Sequence, residues 1–182
     1  MKIIFLIIFV SIGINLFSQI SKNQWLVGGY GTYTYAQGTN DKISSFQIAP
    51  SGGFFLWNNI ALGARMNFNS VTEHFSDKYR ISTLSIGPFF RYYFLDTAHP
   101  VNLFVDAAFA FSFGKQKDFI FQNIADYTYS SWSILAGPAF FINKHTALEV
   151  TIGYNHSTRG IFDTTGTASL QLGFGLQIHL GK

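Results

Sequence analysis

Apolar and polar positions alternate along most of this chain, and the clearest run is the last, from Thr165 to Leu180. From Leu170 onward every second residue is large and apolar: Leu170, Leu172, Phe174, Leu176, Ile178 and Leu180. Between them lie Gln171, Gly173, Gly175, Gln177 and His179, all small or polar. A period of two means a β-strand with one apolar face. Strands of soluble domains usually run about five or six residues. A run of ten or more with Leu and Phe on one face fits a strand facing lipid.

The same period predicts seven further strands. The first runs from Gln24 to Tyr35, with Trp25, Val27, Tyr33 and Tyr35 preferred on the outer face over Leu26 and Tyr30. The second, from about Ser44 to Leu56, carries Phe46, Ile48, Pro50, Gly52, Phe54 and Leu56 outward; the turn Trp57-Asn58-Asn59 leads to a third, Ile60 to about Ser70. A fourth runs from Tyr79 to Phe94, a fifth from Val101 to Phe113, a sixth from Tyr127 to Ile142 and a seventh from Thr146 to Asn155. Gly114 to Asp126 reads as a long connection, and His156 to Thr164 leads into the closing strand. The expected fold class is all-β, with eight antiparallel strands in an up-and-down transmembrane barrel.

The connections alternate in length. Those after the second, fourth and sixth strands are short, whereas the others are longer and polar. Short periplasmic turns and longer extracellular loops produce this rhythm in an outer-membrane barrel. Three strands share a local pattern, with Pro50, Pro88 and Pro138 at mid-strand outward positions. Proline cannot donate to a ladder, so each demands either a bulge or one lost bond.

Composition agrees with an unusual surface. The chain of 182 residues is 48% hydrophobic, 18% aromatic and only 12% charged, against about 25% charged for an ordinary domain. After the N-terminus no apolar run approaches the ~20 residues of a spanning helix. Residues 1–18 read as a signal peptide, with Lys2 before an apolar core and Ser18 at its end, rather than as a membrane anchor. That leaves 19–182 as the barrel domain. Cysteine is absent, so the domain holds together without disulfides. The formal charge of +3 is scattered and forms no basic cluster, which argues against nucleic acid as a partner.

With these features together, the chain resembles the small outer-membrane β-barrel proteins of the OmpA/OmpX-like group, in the form common among Bacteroidetes. The resemblance rests on the signal peptide, the strand rhythm, and the segments Phe46 to Leu56, Leu84 to Phe94 and Ile134 to Ile142. It implies a monomer in the outer membrane of a Gram-negative bacterium, surrounded by outer-membrane lipid and inserted by the outer-membrane assembly machinery. Such barrels usually finish on an aromatic residue that this machinery recognises, whereas here the last residues are His179-Leu180-Gly181-Lys182.

Chemistry is expected inside. Arg65, Arg91, Asp106 and Glu149 fall on inward positions of the third, fourth, fifth and seventh strands. Each lies four or five residues from a short turn, roughly 13–17 Å along the strand. Two arginines and two carboxylates at similar height in a narrow lumen imply a structural ion-pair network. The five histidines offer neither metal-ligand spacing nor a convergent nucleophile and base, so no catalytic residue, metal or cofactor is expected. Phe119, Ile120, Phe121 and Ile124 are apolar for a connection and suit packing among loops or a surface ligand. Trp25, Trp57, Tyr92 and Phe94 at one end, and Tyr33, Tyr79, Tyr129, Trp132 and Tyr154 at the other, suit two aromatic girdles. The expected role is structural or surface-interacting, with a side-chain-filled lumen. A small passive pore and a secreted lipocalin-like barrel are the alternatives.

Overall fold

A computed structural model describes residues 20–37, 42–74, 78–95, 99–118, 124–158 and 166–181. The proposed signal segment 1–18 lies outside the described residues. Eight strands follow one another: β1 (Trp25–Gln37), β2 (Lys42–Trp57), β3 (Ile60–His74), β4 (Lys78–Tyr93), β5 (Val101–Asp118), β6 (Ile124–Phe141), β7 (Thr146–Thr158) and β8 (Gly166–Leu180). Each pairs antiparallel with its sequence neighbour, and β1 pairs with β8 to close the barrel. From Trp25↔Leu180 to Gly31↔Phe174 this closure leaves neither edge strand open, which alternating strands need when both edges would face lipid.

The apolar stripes face outward. Leu172, Phe174, Leu176 and Leu180 of β8 are exposed, and Gly173, Gly175, Gln177 and His179 are buried. In β1 the preferred register holds, with Trp25, Val27 and Tyr33 outside and Leu26 and Tyr30 inside; the Tyr35 side chain lies outside the described residues. Trp57 turns through Asn58 and Asn59, and Asn59 adopts φ 72°, a left-handed conformation that asparagine tolerates.

Several expected boundaries shift. The residues read as one long connection, Gly114 to Asp126, instead extend β5 to Asp118 and start β6 at Ile124. Likewise β3 continues to His74, and His156 and Ser157 belong to β7 rather than to a loop. Past the apolar band both faces of a strand are polar, so alternation vanishes while the ladder continues. Tyr129 is another correction: it pairs with the buried Ser112 and stacks on Tyr127 at 6.0 Å, on the lumen side rather than in a girdle. Phe119, Ile120 and Phe121 lie outside the described residues, as does the side chain of Tyr79.

The prolines resolve into lost pairs without bulges. Pro50 pairs with Gly29, Pro88 with Ala64 and Pro138 with Leu103. On its other side each leaves a two-residue gap in the ladder. Pairing resumes in the same register, from Ile48↔Phe68 to Ser51↔Arg65, from Ile86↔Phe111 to Phe89↔Ala108, and from Ala136↔Ile152 to Ala139↔Glu149. The facing strand approaches closely at two of these gaps. A side chain at Gly87 or Gly137 would run into the carbonyl oxygen of Phe109 or Val150, which accounts for glycine before those prolines.

Candidate functional site in the lumen

Inward positions of the half nearer the short turns gather the charges. Asp106 on β5 is the cross-strand partner of Arg91 on β4, and it accepts a bond from Arg91 Nε at 3.0 Å. Reaching over β4, Arg65 donates to both oxygens of Asp106, at 2.8 Å and 2.7 Å. This fork is the strong, planar form of the arginine–carboxylate pair. Arg91 Nη1 then crosses the lumen to Glu149 Oε1 on β7 at 2.7 Å and also meets the Tyr93 hydroxyl at 3.2 Å. Gln177 on β8 donates to Glu149 Oε2 at 3.4 Å. One bonded cluster therefore links β3, β4, β5, β7 and β8, and its two guanidiniums balance its two carboxylates.

All four charged side chains are buried: Arg65 is 6% exposed, Arg91 1%, Asp106 0% and Glu149 2%. Aromatic faces supply the rest of their surroundings. The Arg65 guanidinium lies 4.7 Å from the Phe89 ring centroid and 5.2 Å from that of Tyr30. Arg91 lies 4.3 Å from Phe104 and 5.8 Å from Tyr93. Such stacking attracts a cation that has lost its water.

Nearer the short turns a cluster of buried, mostly apolar side chains forms a floor in the lumen. Phe55, Tyr93, Phe104 and Phe141 pack with Leu26 and with Ile20 from the segment before β1. That segment is held by backbone bonds of 2.9 Å, from the Asn23 amide to the Phe55 carbonyl and from the Phe55 amide to the Gln24 carbonyl. His179 sits in this floor, its ring 5.3 Å from Phe141, 5.6 Å from Phe55 and 6.0 Å from Tyr93. Neither ring nitrogen has a hydrogen-bond partner among the described residues. Among the described residues no three His, Asp or Glu side chains gather to hold a metal ion.

All four residues singled out from the sequence thus meet in one place. Their aromatic and amide neighbours, Tyr30, Phe89, Tyr93, Phe104 and Gln177, were not singled out as partners. The inward parity shared by Arg91 and Tyr93, and by Phe104 and Asp106, was the available signal. Ile20 gave none, because it lies outside any alternating run.

A closed eight-stranded wall, apolar outside and polar inside, defines a small outer-membrane type of β-barrel. Residues 6–177 match the family described as outer membrane protein beta-barrel domain, and the chain belongs to that family. Its fold is similar to that of Neisserial surface protein A, with a TM-score of 0.61 and 17% identity over 85% of this chain and 96% of that one. OprG from Pseudomonas aeruginosa gives a TM-score of 0.55 and 10% identity, covering 92% of this chain and 100% of that one. The N-terminal β-barrel domain of OprF from the same organism gives 0.51 and 13%, covering 87% and 98%. No curated protein matches the chain in sequence.

Proposed function

We propose that the protein is a non-enzymatic, monomeric resident of a Gram-negative outer membrane, exported by residues 1–18 and inserted by the assembly machinery of that membrane. Its role is structural or surface-interacting, and its lumen is closed to solutes. The observation that carries this reading is the cross-lumen bond from Arg91 to Glu149 at 2.7 Å, backed by the aromatic floor beneath it. An ion pair that spans the barrel with both partners buried supports a lumen without an aqueous path. The short connections then face the periplasm and the long ones the exterior, where a surface ligand would bind.

Single-channel recording of the refolded barrel in a planar bilayer tests this. The expected trace shows no steady conductance, and long-lived openings of uniform size would replace the closed-lumen reading with a pore. Substitution of Arg91 by alanine should permit brief, irregular openings only, because the aromatic floor remains.

A further inference from the structure

The lipid-facing wall is hollowed on one side. A cavity of about 690 Å³ opens on the outer face toward the long-connection ends of β2 to β6. Strand register explains it. One row of outward positions across the sheet reads Ile48, Phe68, Leu84 and Phe113, all large and exposed. The next row reads Phe46, Ser70, Ser82 and Lys115. Two serines therefore stand where the neighbouring positions carry rings and branched chains, and the wall sinks between them.

The upper margin of this hollow is charged. Lys115 lines it together with its register partner Asp126. They form no ion pair with each other, since the ion pairs among the described residues are those of Arg65, Arg91, Asp106 and Glu149 inside the lumen. Arg80 is exposed one outward position above Ser82, and its partner on β5 is Lys117. Two described cations, Lys115 and Arg80, thus accompany one carboxylate at the edge of an apolar depression.

We propose that this hollow seats an acyl chain of a membrane lipid whose net negative headgroup is held by Lys115 and Arg80. The occupant follows from three properties. The face belongs to an outer-membrane barrel, so it meets lipid. The depression is walled by Phe46, Ile48, Phe68, Leu84 and Phe113, which match a hydrocarbon chain and exclude water. The cations lie at one end only, as a headgroup bound to a chain requires. The inference rests on the lipid-facing reading of the outer wall, which heat-modifiable migration in membrane fractions tests separately.

Native mass spectrometry of the full barrel, titrated with phosphatidylglycerol and with phosphatidylcholine of matched chains, decides it. Phosphatidylglycerol should be retained more tightly than phosphatidylcholine. Lys115→Ala combined with Arg80→Ala should weaken phosphatidylglycerol by roughly thirtyfold and leave phosphatidylcholine unchanged, at about fivefold per cation lost near the headgroup. Asp126→Asn should tighten phosphatidylglycerol, and Ser82→Trp, which fills the hollow, should weaken both lipids. Equal retention of the two lipids by the unaltered protein, or phosphatidylglycerol binding unmoved by the double substitution, overturns the proposal. The charge substitutions alter only exposed side chains, so they decide the matter even if Ser82→Trp fails to fold.

Discussion

The two halves of the lumen are built on opposite plans. Toward the short turns, fully buried charges, amides and rings join in a cluster that crosses the barrel, and an aromatic floor lies beneath it. Toward the long connections the inward residues include Ser45, Asn69, Thr83, Ser85 and Ser112 beside the rings of Tyr127 and Tyr129, and their bonds stay local. Ser85 meets Ser112 at 2.8 Å on the adjacent strand, Ser45 meets Asn69 at 3.3 Å, and Tyr127 reaches over β5 to Thr83 at 3.1 Å. Glycine at position 114 makes that last reach feasible, since a side chain there would overlap the Tyr127 ring. The closing seam divides the same way. β1 and β8 pair from Trp25↔Leu180 to Gly31↔Phe174 and no further, although both strands continue. Leu170 and Leu172 above that point are 77% and 70% exposed, more than any large apolar residue of the other described strands. A packed, cross-linked half thus carries a loosely joined one, and lost contacts should cost far more in the first.

The sharpest contrast should come from cysteine pairs across the seam, because the natural chain has none. Val27→Cys with Ile178→Cys, in paired register, should oxidise nearly to completion. Tyr33→Cys with Leu172→Cys occupies the position that the same register would reach if it continued, and should remain reduced. Efficient cross-linking of both pairs would show a seam closed along its whole length.

Within the packed half, Arg91→Ala leaves Glu149 buried without its cation and should lower stability by about 3–5 kcal/mol. Lys144→Ala, in an exposed turn, should change it by less than ~0.5 kcal/mol. The midpoint of the heat-modifiable gel shift reads both, and equal midpoints would remove the network as a stabilising element. Replacing both partners, Arg91→Met with Glu149→Leu, should recover most of the loss, since Asp106 keeps Arg65 and no charge is left unpaired. The smallest effect belongs to the looser half. Ser85→Ala breaks one neutral bond to Ser112 and should cost about 1 kcal/mol, and a larger loss would mean that this half is cross-linked as well.

Much of this was legible because a period of two survives any change in strand tilt or stagger. The outward stripes of β2 and β8, the count of strands and the inward placing of Arg65, Arg91, Asp106 and Glu149 all follow from parity alone. Other features escaped for identifiable reasons. Lys115-Gln116-Lys117-Asp118 is polar at every position, so a strand that has left the apolar band looks like a loop. Tyr127, Tyr129 and Trp132 place rings on both parities of one strand, and no pattern distinguishes girdle from lumen there. Pro50, Pro88 and Pro138 announced a broken ladder without showing which neighbour would lose its pairs.

The closing strand sums up the division. Its alternation alone determined an apolar outer face and a small, polar inner one, because side-chain direction in a strand depends only on position parity. That Gln177 meets Glu149, that His179 is enclosed by three aromatic rings, and that pairing with β1 stops at Phe174 depend on how far each strand slides past the next. This stagger is a property of the closed sheet, set when all eight strands pack at once. The same stagger brings Arg65 over β4 to Asp106 and aligns Ser70 with Ser82 and Lys115. Residue identity chose the faces, and closure chose the partners.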